Sequence, residues 1–411
     1  MSTTLHTTEA APAHSYRWVI EGSLLLLQFS MGLSFLAVAP LFPLIIEAYG
    51  VNRATASLLV GGTSLGVAAA LIPCSVLATR LGTRWSLALG GLLMASMALA
   101  PLASSFALLL GARVAFAVGA ATVLSASPPV IMRWFPVREL PLVNGVNVVA
   151  QSLGITLSMF LGPRLAVSIG WDVALFAFAC VTLTATALWL LTARDPEGTE
   201  SLGGATFRMS DLVATLHDRA ALLLGVGMAG ALAANVSFGS WLPAYYNEQF
   251  GFSLEQAGTV AAVLAFFGIV GSLLGSTLPV RFPRRRPFLV VAGLLIPVAA
   301  LGAFASAEPW LLYPSVAVLG VVSWVFIPVV FTIPMELPRM TPERVGVTTA
   351  LVLTAGNTSG FFAPLAVGVL RDMTGTFTAG LGLAALLALG LAVAGWLMPE
   401  TGVRAANEME P

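Results

Sequence analysis

Long apolar runs separated by short polar joints dominate this chain, and they decide its solvent. A helix needs ~20 apolar residues to cross the hydrocarbon core of a bilayer. Runs of that kind fall at 18–46, 56–79, 85–104, 106–133, 141–167, 172–193, 220–247, 256–280, 288–306, 310–335, 345–370 and 378–398. Inside lipid every backbone N–H and C=O must be bonded within its own segment, so such runs are expected to be helices. Charged residues make up only 9% of the chain, against about 25% in soluble domains. That is too few to coat a water-exposed surface. The expected fold class is an all-α membrane protein with twelve transmembrane helices.

A second feature divides the chain. The stretch SVLATRLGTR, Ser75 to Arg84, returns as STLPVRFPRR, Ser276 to Arg285, at an offset of 201 residues. The same offset relates EAYG (Glu47 to Gly50) to EQFG (Glu248 to Gly251), Gly119 to Gly320, and Pro163 to Pro364. Two like halves in parallel orientation are implied, that is, two pseudo-symmetric six-helix bundles. The expected layout is a tail at 1–16, a first bundle at 17–193, a polar linker at 194–219, a second bundle at 220–398 and a tail at 399–411. The first tail lacks the basic-then-apolar pattern of a cleavable signal and reads as flexible.

All 19 basic residues are arginine, and their placement predicts orientation. Arg17, Arg80, Arg84, Arg133, Arg138, Arg194, Arg208, Arg219, Arg281, Arg284, Arg285, Arg286, Arg339, Arg344 and Arg404 fall on one side. Arg53 falls on the other, with Arg164 and Arg371. Both termini are therefore expected in the cytoplasm, with the protein in the plasma membrane.

Several chemistries find no foothold. His6, His14 and His217 lie outside the apolar runs, leaving no place for a histidine proton switch within the membrane or for a zinc site. Cys74 and Cys180 are far apart, each within an apolar run, and read as small core residues rather than a disulfide or metal pair. A net charge of zero gives no footprint for nucleic acid. No cofactor is implied. An intramembrane enzyme needs a nucleophile and base, or metal ligands, within the helices, and the runs supply neither. A receptor or scaffold would need no gating loops and no polar pathway.

At these residues the chain resembles the major facilitator superfamily. In Ser75 to Arg84, the residues Leu77, Ala78, Arg80, Gly82 and Arg84 match the family signature G-x-L-A-D-R-x-G-R-R; Ser75, Thr79 and Thr83 depart from it. In helix 4, RVAFAVGAA is similar to R-x-x-Q-G-x-G-A-A through Arg113, Gly119, Ala120 and Ala121, with departures at Phe116 and Ala117. Gly162-Pro163 resembles part of the family's antiporter signature, from which Ser158, Ala166 and Val167 depart. The resemblance implies alternating access, with helices 1, 4, 7 and 10 lining a central pathway.

The loop arginines Arg80 and Arg84, repeated as Arg281 and Arg285, are candidate gate residues. Their candidate partners at helix ends are Glu139 and Glu343. Thr79 replaces the aspartate expected as one clamp. Arg113 is the one arginine deep in an apolar run, where a charge costs ~2.5–3.5 kcal/mol on insertion scales. It is either a substrate-anion contact or a brace on helix 1. Asn144, Asn147 and Gln151 share a face of helix 5, and Thr354, Asn357 and Phe361 share one on helix 11. Asn235, Trp241 and Tyr245 fall in one sector of helix 7, with Gln28 in helix 1 and Trp324 in helix 10. Lipid cannot bond amides, so these groups should face a pathway or hold helices together. Tyr246 and Trp310 read as interface anchors. Residues 288–306 and 378–398 carry almost no polar side chains and suit a lipid-facing position. Deep carboxylates are scarce; Glu21 could carry a coupling proton only if helix 1 starts early. The expected function is secondary-active or facilitative transport of a small organic solute, leaning to an organic anion or zwitterion. Efflux of lipophilic compounds is the alternative. The expected partners are the solute and membrane lipids, with the protein a monomer.

Overall fold

The computed structural model describes residues 16–136, 139–194, 215, 217–282, 284–337 and 342–401, with the side chains at 79, 141, 280, 342, 343 and 346 outside that description. Both expected tails and most of the expected linker lie outside the described residues. Twelve helices among them are long and apolar enough to cross a membrane. They are α1 (Tyr16–Tyr49), α2 (Arg53–Ala78), α3 (Thr83–Leu102), α4 (Phe106–Trp134), α5 (Leu142–Ile169), α6 (Trp171–Thr192), α7 (Arg219–Phe250), α8 (Leu254–Pro279), α9 (Arg286–Ala305), α10 (Pro309–Glu336), α11 (Val347–Thr374) and α12 (Thr378–Leu397). Their bounds differ from the sequence expectation by a few residues, mostly because helices continue into the polar joints.

Local chemistry sets the ends. Gly50 closes α1 with φ 62° and Gly251 closes α7 with φ 67°, a left-handed turn that costs glycine nothing. Two residues later Asn52 caps α2 by accepting from the Thr55 N–H, and Ser253 caps α8 in the same way from Gln256. Each of these pairs is 201 residues apart, so the repeat read in the sequence is a repeated piece of backbone geometry. The axis of α1 is interrupted after Phe35 and resumes through a short 3-10 turn at Ala39–Leu41. Pro40 and Pro43 have no N–H to continue the helical ladder, which accounts for the break.

Small residues let the helices approach closely. A Cβ on Gly32 in α1 would land on the Gln151 carbonyl oxygen of α5, and one on Gly154 would land on the Phe29 carbonyl oxygen. Without a hydrophobic force between helices in lipid, such close contact is what holds them.

The core explains the shape. Call the face carrying the outer ends of α1 and α12 the terminal face, and the opposite one distal. In the distal half, one apolar core draws on both bundles, with Phe42, Leu59 and Met159 from the first packed among Trp241, Tyr246 and Leu381 from the second. In the terminal half there are two separate cores. One holds Leu24, Phe116 and Trp189 of the first bundle only. The other holds Leu224, Phe326 and Leu391 of the second only. The bundles are therefore joined distally and parted toward the terminal face, with a cleft between them.

Candidate functional site

The cleft is floored by residues from α1, α5, α7, α8 and α10, including Leu36, Ser152, Ile155, Asn235, Leu264 and Trp324. Of the residues singled out in the sequence, the structure brings Asn235 and Trp324 together here. Gln151 adjoins Ser152 and is half-buried. The Ser152 hydroxyl, the Asn235 amide, the Trp324 indole and the Gln151 amide make no side-chain hydrogen bond to any described residue. Three neutral groups with donors unspent, on Ser152, Asn235 and Trp324, therefore converge on one apolar-walled space. Ser152 and the apolar lining were not singled out in the sequence. Serine is common in these helices, and only the register of α5 against α1 and α8 shows which one faces the cleft.

The other candidates are engaged elsewhere. Gln28 is 6% exposed and donates to Ser127 Oγ of α4 at 3.4 Å. Trp241 is fully buried, donates to the Pro364 carbonyl at 2.8 Å and packs on Phe42 and Phe377. Tyr245 donates to the Phe304 carbonyl at 2.9 Å. Tyr246, expected at the interface, is wholly buried and donates to the Ala303 carbonyl at 2.8 Å. These aromatic residues serve as core, because α7 turns them toward α9, α11 and α12. Trp310 is 75% exposed, as an anchor would be. Asn357 is half-buried, and its amide donates to the Leu353 carbonyl one turn back at 2.9 Å. Asn147 donates to Glu21 Oε1 at 2.6 Å and to the Val143 carbonyl at 2.9 Å. Helix α1 does start early, at Tyr16, and leaves Glu21 only 2% exposed. Glu21 Oε2 and Asn147 Oδ1 are both buried without a hydrogen-bond partner.

Arg113 takes the brace position. It is 1% exposed and does not line the cleft. Its Nε donates to the Leu59 carbonyl at 2.8 Å, and its two terminal nitrogens donate to the carbonyls of Ser34 and Phe35 at 2.8 and 2.7 Å. The last carbonyls of a helix lack intrahelical partners, and Ser34 and Phe35 end the first part of α1. The guanidinium fork supplies what the break at Pro40 removes, and its charge also faces the Phe116 ring at 4.9 Å.

The expected gate residues do not bridge the bundles at the terminal face. Arg80 and Arg281 are exposed and have no partner among the described residues. Arg84 donates to the Leu190 carbonyl within the first bundle at 3.0 Å. Glu139 pairs with Arg17 of the same bundle at 3.2 Å. Arg285 grips Glu336 of its own bundle at 2.7 Å. Glu343 lies outside the residues whose side chains are described. A parted terminal half leaves such groups to local partners.

The bundles are instead tied by charge at the distal face. Arg53 at the start of α2 donates to Glu248 Oε1 at 2.8 and 3.1 Å and reaches Asp372 at 3.5 Å. Arg371 holds the other Glu248 oxygen at 2.7 Å. Nearby, Arg164 of α5 donates to Thr259 of α8 at 3.1 Å. Close backbone approaches reinforce this end: a Cβ on Gly258 would lie 2.6 Å from the Met159 carbonyl, and one on Gly368 would lie 3.0 Å from the Ala54 backbone. Sequence reasoning passed over this cluster because Arg53 and Arg371 counted only as exceptions to the charge bias.

Comparison with known proteins agrees with this geometry. The chain is 26% identical over 346 residues to a quinolone resistance transporter of Acinetobacter baumannii, covering 75% of this chain and 77% of that protein. It is 24% identical over 335 residues to a hexuronate transporter of Bacillus subtilis, covering 75% and 77% respectively. Its fold is similar to the crystal structure of a bacterial homologue of the human lysosomal transporter Spinster, in an inward-facing and unoccupied conformation. The TM-score is 0.70 at 19% identity, over 93% of this chain and 94% of that one. The family model for the Major Facilitator Superfamily matches residues 24–364. With twelve crossings, a twofold-repeated backbone and a cleft between two bundles, the chain belongs to the major facilitator superfamily of membrane transporters.

Proposed function

We propose that this transporter carries a small organic solute bearing a carboxylate, bound between the bundles at the cleft floor. The observation that carries the reading is the set of unspent neutral donors on Ser152, Asn235 and Trp324. A carboxylate needs several N–H or O–H donors and meets no fixed carboxylate on that lining. Similarity to a hexuronate transporter supports the same class. Binding to neutral donors, rather than to a cation, favours an affinity weak enough for release on the far side. The excess of arginine at the terminal face supports a cytoplasmic position for both ends and for the open side of the cleft. Arg80 and Arg281 then act as gate residues only when that side closes.

Glu21 is the one carboxyl in the buried set of described residues, and it is the proposed carrier of a coupling proton. A single proton on Oε2 supplies the donor that both Oε2 and Asn147 Oδ1 lack, as in a cyclic acid–amide pair.

Counterflow in proteoliposomes tests the substrate class. Sugar acids, small monocarboxylates, zwitterionic amino acids and a fluoroquinolone are offered in turn as trans solute. Carboxylate exchange is expected. Exchange of the quinolone alone would overturn the reading in favour of efflux of lipophilic compounds.

A further inference from the structure

A second groove stands apart from the cleft. It lies in the second bundle near the terminal face, with a volume of about 670 Å³. Its walls are Leu274, Leu278 and Phe282 on one side and Phe288 and Val291 on the other, with Val325 of α10 among the residues beneath. The groove exists because α8 and α9 both pack on α10 and leave a gap between them. Its apolar walls are well exposed, with Leu274 at 36%, Phe282 at 59% and Val291 at 52%.

Charge sits at one end only. Residues 281–286 lead from the end of α8 to Arg286, the first residue of α9. Two of the arginines there are spent inside the bundle: Arg285 on Glu336, and Arg286 on the carbonyls of Gly395 and Trp396. The other two, Arg281 and Arg284, are exposed and have no acidic partner among the described residues. Arg284 lines the groove directly. Arg281 follows Leu278 by three residues and so shares its side of the helix. No carboxylate lines the groove.

An apolar trough ending in two exposed guanidinium groups, with no acidic partner among the described residues, matches one molecule with both properties. We propose that this groove is a binding site for an anionic phospholipid of the terminal-face leaflet. One acyl chain lies between α8 and α9 against α10. The phosphate accepts from Arg284 and Arg281, whose planar forks suit its oxygens. A zwitterionic lipid offers the same chain, but its headgroup carries a cation that the two arginines repel.

Native mass spectrometry of the full-length protein tests this with phosphatidylglycerol and phosphatidylcholine of identical chains at equal concentration. The wild type should retain phosphatidylglycerol at least fivefold more than phosphatidylcholine. The double variant Arg281→Ser, Arg284→Ser should lose that preference. Val291→Trp fills the trough with the arginines intact, and should lower retention of both lipids. Thermal melting confirms that each variant is folded. Inorganic phosphate and glycerol 1-phosphate serve as competitors, and neither should displace the lipid at millimolar concentration. Equal retention of the two lipids by the wild type would overturn the proposal, as would a preference that survives both variants. Full displacement by free phosphate would overturn it too, leaving a headgroup site without a chain.

Discussion

Replacing Arg53 with alanine removes the side chain through which the first bundle reaches the distal ion cluster. Arg53 bonds Glu248 through two nitrogens and reaches Asp372 at 3.5 Å. The three side chains are 27%, 25% and 26% exposed, so water screens each pair, and the surface range of ~0.2–1 kcal/mol applies to each. Two arms amount to about 0.4–2 kcal/mol, a factor of about 2–30 in the ratio of distal-closed to distal-open protein. Nitroxide labels on Ala48→Cys and Thr376→Cys would report the change by pulsed electron resonance, in a background with Cys74 and Cys180 replaced by alanine. Both label sites are exposed, and they lie on opposite bundles at the distal face. The longer-distance population should grow in Arg53→Ala and grow further in Arg53→Glu, which sets like charges together. Raising salt to 1 M should move the wild type the same way, because the screening length falls to about 3 Å. A distance distribution unmoved by both substitutions and by salt would refute the argument that these pairs hold the distal side shut.

Substitutions at four further residues test the geometry. Arg113→Ala should lower the melting temperature sharply, because three buried carbonyls lose charge-assisted bonds worth about 1.5–3 kcal/mol each. Arg113→Lys should fail to rescue it, since one ammonium cannot span all three. Asn235→Ala should raise the apparent KM by about 3–10-fold, the worth of one hydrogen bond. Asn235→Asp should abolish carboxylate exchange while leaving the melting temperature unchanged. Gly258→Leu should force α8 away from the Met159 carbonyl and lengthen the same label distance as Arg53→Ala. Glu21→Gln keeps the bond to Asn147 but holds no exchangeable proton; uptake driven by a pH gradient should fall at least tenfold while counterflow persists. Undiminished gradient-driven uptake would remove Glu21 from coupling.

Much of the architecture is legible in the amino-acid sequence. Run length and apolarity depend on the bilayer alone, so the crossings could be counted, and the offset of 201 residues surfaced as paired caps at Gly50 and Gly251. The polar stripes were legible as inward-facing but not as a site. Whether Gln28 bonds Ser127 or a solute depends on which residue of α4 stands opposite, and no spacing within α1 encodes that. Arg113 illustrates the same limit. Its depth signalled a partner, but the partners are backbone carbonyls, two at the break in α1 and one inside α2, 54 to 79 residues away in sequence. The distal cluster was hidden for a related reason: Arg53 meets acids 195 and 319 residues distant.

The distal core has a consequence for engineering. Because Phe42 and Trp241 belong to opposite bundles yet share one interior, every transport cycle must peel that interior apart and lay it down again. Filling it better would raise the melting temperature and, by the same amount, deepen the well from which each turnover has to climb. Thermostable variants selected without an activity screen should therefore gather substitutions along this seam, and should be slow.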